Sequence, residues 1–479
     1  MKRKIGLFAG GIEQYWTEAG MQDLPGVLDV DARKLAADLG DEFEVVYPGL
    51  VGNVETSRRV GEIFRRENVD MVLMYHATYV DDAMTIAMME EIGNTFSVLF
   101  HSQGFSSFLD IENLVDAGRS WGNNSAVQIS GTLKRVKPEW RFGFVFGGLG
   151  DSAPLDQIRQ YARAARGVKS LKGKRVGVLP HRCIGVPMYD TYPDEAKMIG
   201  QTGIEIDFLY IIELVREMEA VSDQDCAALV RQLYADYEVV EPPKEEVELS
   251  ARMALALERL VAAKEIDALA LDFSGGMIPL SGAMPCVGMS RLIDKGIVVS
   301  SEGDLAVSVG GLLMRNIAEE PVHFWEHLAF DEEKNWILGG HEGGSAGFTM
   351  AKSGTRPKLR NNQYINWDGI PDAPHFGVVP EFITEPGPCT LITFYRGPQA
   401  YEMRLACGES VDTDPLDVHY EHTVFQPNIP LGKYFRRIAE IGVCHHFGLI
   451  HAAIDAELEK SAEIMGMECS WLTEPGPRF

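Results

Sequence analysis

Short apolar runs separated by amphipathic stretches mark the first third of the chain. Residues 5–8, 43–47, 71–75, 96–100 and 142–146 are mainly apolar segments too short for helices. They read as strands buried on both faces, the habit of a parallel sheet. Between them, Asn53 is placed to cap a helix carrying Val60, Ile63 and Phe64 on one face, and Asp81 a helix through Met84, Ile86, Met88 and Met89. Strands alternating with helices predict βαβ units. A second series restarts after the basic turn 169–174, with strands at 175–180, 204–211, 268–272 and 297–301 and helices near 224–237 and 245–264. Its last strand runs into Glu302-Gly303-Asp304 and an apolar helix through Leu313. Glu302 is thereby expected at the carboxyl end of a parallel strand, where ligands of open α/β sheets gather.

After about residue 322 the pattern changes. Residues 390–395 and 401–406 read as a hairpin, Gly and Pro are frequent from 354 to 430, and a helix at 452–465 is stopped by Gly466. The expected fold class is α/β. Two doubly wound parallel α/β domains, 1–170 and 171–322, precede a β-rich, antiparallel, barrel-like C-terminal domain with a terminal helix, 323–479.

Composition narrows the function. Lys and Arg total 44 against 70 Asp and Glu, a formal charge of -26, which argues against a nucleic-acid partner and weakly against a phosphorylated substrate. The seven cysteines are dispersed, with no CxxC pair, so neither a disulfide framework nor a zinc ribbon is expected. The opening residues run straight into a strand, and no apolar stretch reaches the ~18–20 residues of a membrane span. A cytoplasmic protein with no membrane partner is the expectation.

Nine of the twelve histidines lie after residue 320, among carboxylates in Gly-rich sequence. Four motifs stand out: Ser301-Glu302-Gly303-Asp304, Trp325-Glu326-His327, Gly339-Gly340-His341-Glu342-Gly343 and Cys444-His445-His446-Phe447. Two carboxylates with two imidazoles make a mixed oxygen–nitrogen site suited to Mn²⁺, with Co²⁺, Fe²⁺ or Zn²⁺ as alternatives. Either His445 or His446 fits the second imidazole. Gln14, Tyr15, Trp16, His101 and Gln103, beside strand ends of the first domain, are candidates for stacking on and bonding to a sugar. Trp325 and Phe447 read as packing. The glycine turns at 147–150 and 274–276 lack the GxxxxGK[ST] or GxGxxG context of a phosphate loop, which sets nucleotide binding aside.

Taken together, Glu302-Gly303-Asp304, Glu326, Gly340-His341-Glu342-Gly343 and His445-His446 resemble the L-arabinose isomerase and L-fucose isomerase superfamily. The segment 330–341 resembles that family's lead into its histidine, and Gly6-Leu7-Phe8-Ala9-Gly10 with Gln14-Tyr15-Trp16 its opening strand and sugar-pocket turn. The resemblance implies a metal-dependent aldose–ketose isomerase acting on an unphosphorylated pentose or deoxyhexose through an enediolate. Glu302, Glu326, His341 and His446 would be the ligands, the two glutamates also the acid/base pair, and His445 a neighbour of the sugar. It further implies a homo-oligomer, trimer or hexamer, with sites between subunits. Residues 121–130 lack the His-Gly-Gly stretch of arabinose isomerases, which points to a divergent branch with its own sugar. The competing readings are an epimerase or lyase using the same enediolate, or a non-catalytic sugar-binding protein.

Overall fold

A computed structural model of the chain describes every residue except 1–2, 18–20, 106, 181–186, 273–276, 342, 362–376 and 477–479. The turn at 274–276 and Glu342 therefore lie outside the described residues. Two compact units result, Met1–Lys169 with Ala456–Gly466, and Ser170–Asp455 with Met467–Arg478.

The first unit holds a five-stranded parallel sheet in the order Glu44–Val46, Lys4–Ala9, Met71–Tyr75, Phe96–His101, Phe142–Phe146. That order is a doubly wound arrangement, with the direction of winding reversing beside the first strand. Apolar side chains cover both faces: Leu24, Leu28 and Ile158 pack on one, Phe64, Met88 and Ile129 on the other. Both expected caps form. Asn53 Oδ1 accepts from the Thr56 amide at 2.9 Å and Asp81 Oδ1 from that of Met84 at 2.8 Å. The helix Asp455–Met465, late in the chain, belongs almost wholly to this unit; Tyr161 Oη donates to Glu463 at 2.6 Å and Arg163 Nε to Glu457 at 2.8 Å.

The second unit begins with a four-stranded parallel sheet, ordered Val298–Ser300, Ala268–Leu271, Arg175–Leu179, Glu205–Phe208. The strand expected over 204–211 stops at Phe208, and a helix starts at Ile211. The cause is local: Glu213 Oε2 accepts from the Tyr210 amide at 3.2 Å, closing the first helical turn. Helix Leu305–Ala318 is buried over nearly its whole circumference because it lies between this sheet and a β-barrel.

Six antiparallel strands close that barrel: Val322–Asp331, Trp336–Gly340, Glu421–Pro427, Tyr401–Ser410, Gly387–Arg396 and His446–Ile450, the last pairing back onto the first. The expected hairpin is present, with Arg396 opposite Tyr401. Trp325, Ile337, Phe425, Ala406, Leu391 and Phe447, one from each strand, meet in a single buried cluster that fills the interior. Helix Leu431–Ile441 adds Leu431 and Tyr434 to it. Strands Val378–Ile383, Lys358–Asn361, Glu238–Val239 and Cys469–Trp471 extend the sheet beyond the closed ring. Among the described residues no helix is long and apolar enough to cross a membrane, and six cysteines are free thiols.

Candidate functional site

Strand alternation decides which side chains leave the barrel. Trp325 and Phe447 point into its core, so their neighbours Glu326 and His446 project from the outer face. These two stand directly opposite each other on paired strands, and Glu326 is also opposite Gly340, the residue before His341. The same outer face rests on helix Leu305–Ala318, whose Met314 approaches Gly448. The strand Val298–Ser300 ends beside it and delivers Glu302.

The backbone at that strand end is unusual. Glu302 has φ 56° and Gly303 φ 68°, left-handed values that cost a non-glycine residue about 1–2 kcal/mol. The next residue stabilises the turn. Asp304 caps the helix, its Oδ1 accepting from the Val307 amide at 3.0 Å, while its Oδ2 lies 3.0 Å from His446 Nδ1. With Nδ1 held by a carboxylate, His446 turns Nε2 toward Glu302, 3.3 Å from Oε2. His341 Nε2 approaches the other carboxylate oxygen of Glu302 at 3.8 Å. Phe324 walls the cluster, its ring 4.8 Å from that of His341 and 4.7 Å from that of His446.

Ligand atoms of Glu326, His341 and His446 all lie within 4.8 Å of one another, as do those of Glu302, His445 and His446. Glu302 Oε2 and His446 Nε2 are buried, yet neither has a hydrogen-bond partner among the described residues. Two carboxylates and two imidazoles, with buried donor atoms facing one another unbonded, fit a divalent cation. The electrostatics agree. Burial opposes a charge on His446, but the facing carboxylates of Asp304 and Glu302 outweigh it and raise its pKa to about 10. Burial likewise opposes ionisation of Glu302, but His446 and the nearby His341 outweigh it and hold the carboxyl below its ordinary range. The cluster demands a positive charge, supplied by a proton when no cation is bound.

Comparison with known proteins adds an independent line. The L-arabinose isomerase central domain family matches residues 191–320. Two sulfoquinovose isomerases, from Priestia aryabhattai and Priestia megaterium (strain ATCC 12872 / QMB1551), are each 21% identical over 424 residues, spanning 88% of this chain and 89% of their own. The chain is a sugar isomerase that carries a match to the L-arabinose isomerase central domain and is distantly similar to the sulfoquinovose isomerases. Among solved structures, DdhaC covers 53% of the isomerase and 84% of its own chain at 9% identity, with a TM-score of 0.18 that bears on nothing here.

Of the other residues singled out from the sequence of the isomerase, His445 alone adjoins the cluster. His445 is 39% exposed and its Nδ1 lies 2.6 Å from Asp190 Oδ2, whereas His446 belongs to both groups of ligand atoms. Gln14, Tyr15, Trp16, His101 and Gln103 belong to the first unit. There Tyr15 packs edge-on against Trp121 at 5.3 Å, and Asn123 Nδ2 donates to Gln103 at 3.1 Å, so both approach the start of helix Gly122–Val136. His101 packs edge-on against Phe144 and Phe146, and Trp16 adjoins Gly52. Trp325 and Phe447 are fully buried. Three residues beside the cluster carry roles that sequence reasoning did not assign. Asp304 lay within a recognised motif, and its place just before an apolar helix was available as a capping signal, though its contact with His446 was not. Phe324 and Asp190 had none.

Proposed function

We propose that this isomerase is a divalent-cation-dependent aldose–ketose isomerase for an unphosphorylated pentose or deoxyhexose, with Mn²⁺ held by Glu302, Glu326, His341 and His446. The observation that carries the reading is the clustering of facing ligand atoms, one from before the helix–barrel boundary in sequence and three from beyond it: those of Glu326, His341 and His446 lie within 4.8 Å of one another, and Glu302 approaches both His341 and His446. A bound divalent cation supplies the Lewis acidity that polarises the sugar carbonyl and offsets the negative charge of an enediolate. The protein's own groups do the rest. Glu302 and Glu326 form the proton-transfer pair, one carboxylate carrying the hydrogen between C2 and C1 and the other serving the two oxygens. Asp304 keeps the proton of His446 on Nδ1, leaving the Nε2 lone pair toward the cluster. Phe324 excludes water from one side.

We read the chain in three parts, 1–170, 171–322 and 323–479, with Glu302 supplied by the second and the remaining ligands by the third. Gln14, Tyr15, Trp16, His101, Gln103 and His445 are the proposed sugar contacts, working in a cytoplasmic homo-oligomer, trimer or hexamer. The names of the relatives add sulfoquinovose, a 6-deoxy sugar bearing a sulfonate, to the substrates worth testing. The test is ketose formation from L-arabinose, L-fucose, D-arabinose and sulfoquinovose with Mn²⁺. The expected outcome is turnover of at least one sugar, abolished by chelation, restored by Mn²⁺, and lowered about 10²–10⁴-fold in Glu302→Gln. Sugar binding with no ketose formed, or turnover indifferent to chelation, counts against the proposal.

A further inference from the structure

The segment just after the first strand of the second unit carries an acid with no assigned role. Asp190 sits in the short turn Tyr189–Thr191, some 255 residues from the histidine pair, yet its Oδ2 accepts two hydrogen bonds from His445, from the backbone amide at 2.9 Å and from Nδ1 at 2.6 Å. Cys444 Sγ donates to the Asp190 carbonyl at 3.0 Å, so turn and histidine strand are joined by backbone as well as side chain. His445 differs from a packing histidine. It is 39% exposed, its ring lies 3.9 Å from that of His446, and its ligand atom falls within 4.8 Å of those of Glu302 and His446. An imidazole whose Nδ1 proton is committed to a carboxylate has one free position left, the Nε2 lone pair.

We propose that Asp190 is a positioning residue: it fixes the ring and tautomer of His445 so that Nε2 accepts a hydrogen bond from a sugar hydroxyl beside Glu302 and His446. The inference rests on the isomerase reading above. Asp190 touches no substrate and acts only through His445, so the two residues must behave as one unit.

A double-mutant cycle reads that directly. Asp190→Ala, His445→Ala and the double variant are assayed for kcat and KM with Mn²⁺ and whichever of the four sugars the wild type converts, alongside Mn²⁺ content and melting. Asp190→Ala is expected to lower kcat/KM about 10–100-fold while Mn²⁺ content and melting stay close to wild type. Asp190→Asn, whose amide oxygen can accept both N–H groups, is expected to lose less. The double variant is expected to be no worse than His445→Ala alone. Multiplying losses in the double variant, or wild-type kcat/KM in Asp190→Ala, overturns the inference while leaving the isomerase reading intact. So does a fall in melting or Mn²⁺ content that tracks kcat/KM, because it marks Asp190 as a structural strut. A wild type that converts none of the sugars overturns the isomerase reading and this inference together.

Discussion

Asp304→Asn separates the fold from the function at a single atom. One carboxylate oxygen of Asp304 caps helix Leu305–Ala318 and the other accepts from His446 Nδ1, each at 3.0 Å. Asparagine is as good a helix cap as aspartate, so the cap survives within a few tenths of a kcal/mol when the amide oxygen takes the Val307 amide. The amide nitrogen then faces His446 and can only donate. His446 must accept on Nδ1 and move its own proton to Nε2, the atom 3.3 Å from Glu302. That removes one ligand lone pair. Loss of such an orienting partner weakens metal binding about 10–100-fold, or ~1.4–2.7 kcal/mol. Asp304→Ala removes both contacts, costing about 1 kcal/mol for the cap and ~1–3 kcal/mol for the buried unpaired nitrogen. Equilibrium dialysis with Mn²⁺, run beside thermal melting, distinguishes the two variants. The Asn form, which keeps its cap, is expected to melt above the Ala form and bind Mn²⁺ weakly. Undiminished Mn²⁺ affinity in the Asn form refutes the reasoning.

Other consequences follow from the same geometry. A Cβ on Gly339 would sit 2.0 Å from the Trp325 ring, so Gly339→Ala should destabilise the barrel by at least ~1–3 kcal/mol, read as a lower urea midpoint. His446 has its pKa raised from 6.5 to about 10, so in the cation-free protein its stabilisation is complete below the unfolded value and is lost as pH rises through about 10. Urea midpoints of the cation-free wild type should therefore fall more steeply from pH 7 to 10 than those of His446→Gln. Mn²⁺ must displace that proton, so its affinity should rise over the same interval, with proton release seen calorimetrically in buffers of different ionisation heat.

Much of this architecture is legible in the chain because burial writes a pattern. The apolar runs at 71–75 and 96–100 can only be strands covered on both faces, and Asn53 and Asp81 announce their helices. The C-terminal barrel was harder. Its closure depends on the pairing of His446–Ile450 with Val322–Asp331, more than a hundred residues apart, and no local signal encodes such a partner. The strand over 204–211 is shorter than its apolar composition suggests because the Glu213 side chain reaches back to the Tyr210 amide and starts a helix. The candidate site shows the same division. Glu302 was expected at a strand end, and the structure has it there with a left-handed backbone; that Glu302 stands beside His341 and His446 follows from how the barrel's outer face meets the helix. The pairing of Asp190 with His445 leaves no trace in either local sequence, since a hydrogen bond across the fold asks nothing of the residues flanking it.

Anomalous diffraction from crystals grown with Mn²⁺ tests the central claim most directly. The account predicts one strong peak at the metal's absorption edge, bonded by carboxylate oxygens of Glu302 and Glu326 and by nitrogens of His341 and His446. A peak whose ligands exclude Glu326 and His341, or no peak there at saturating Mn²⁺, contradicts it.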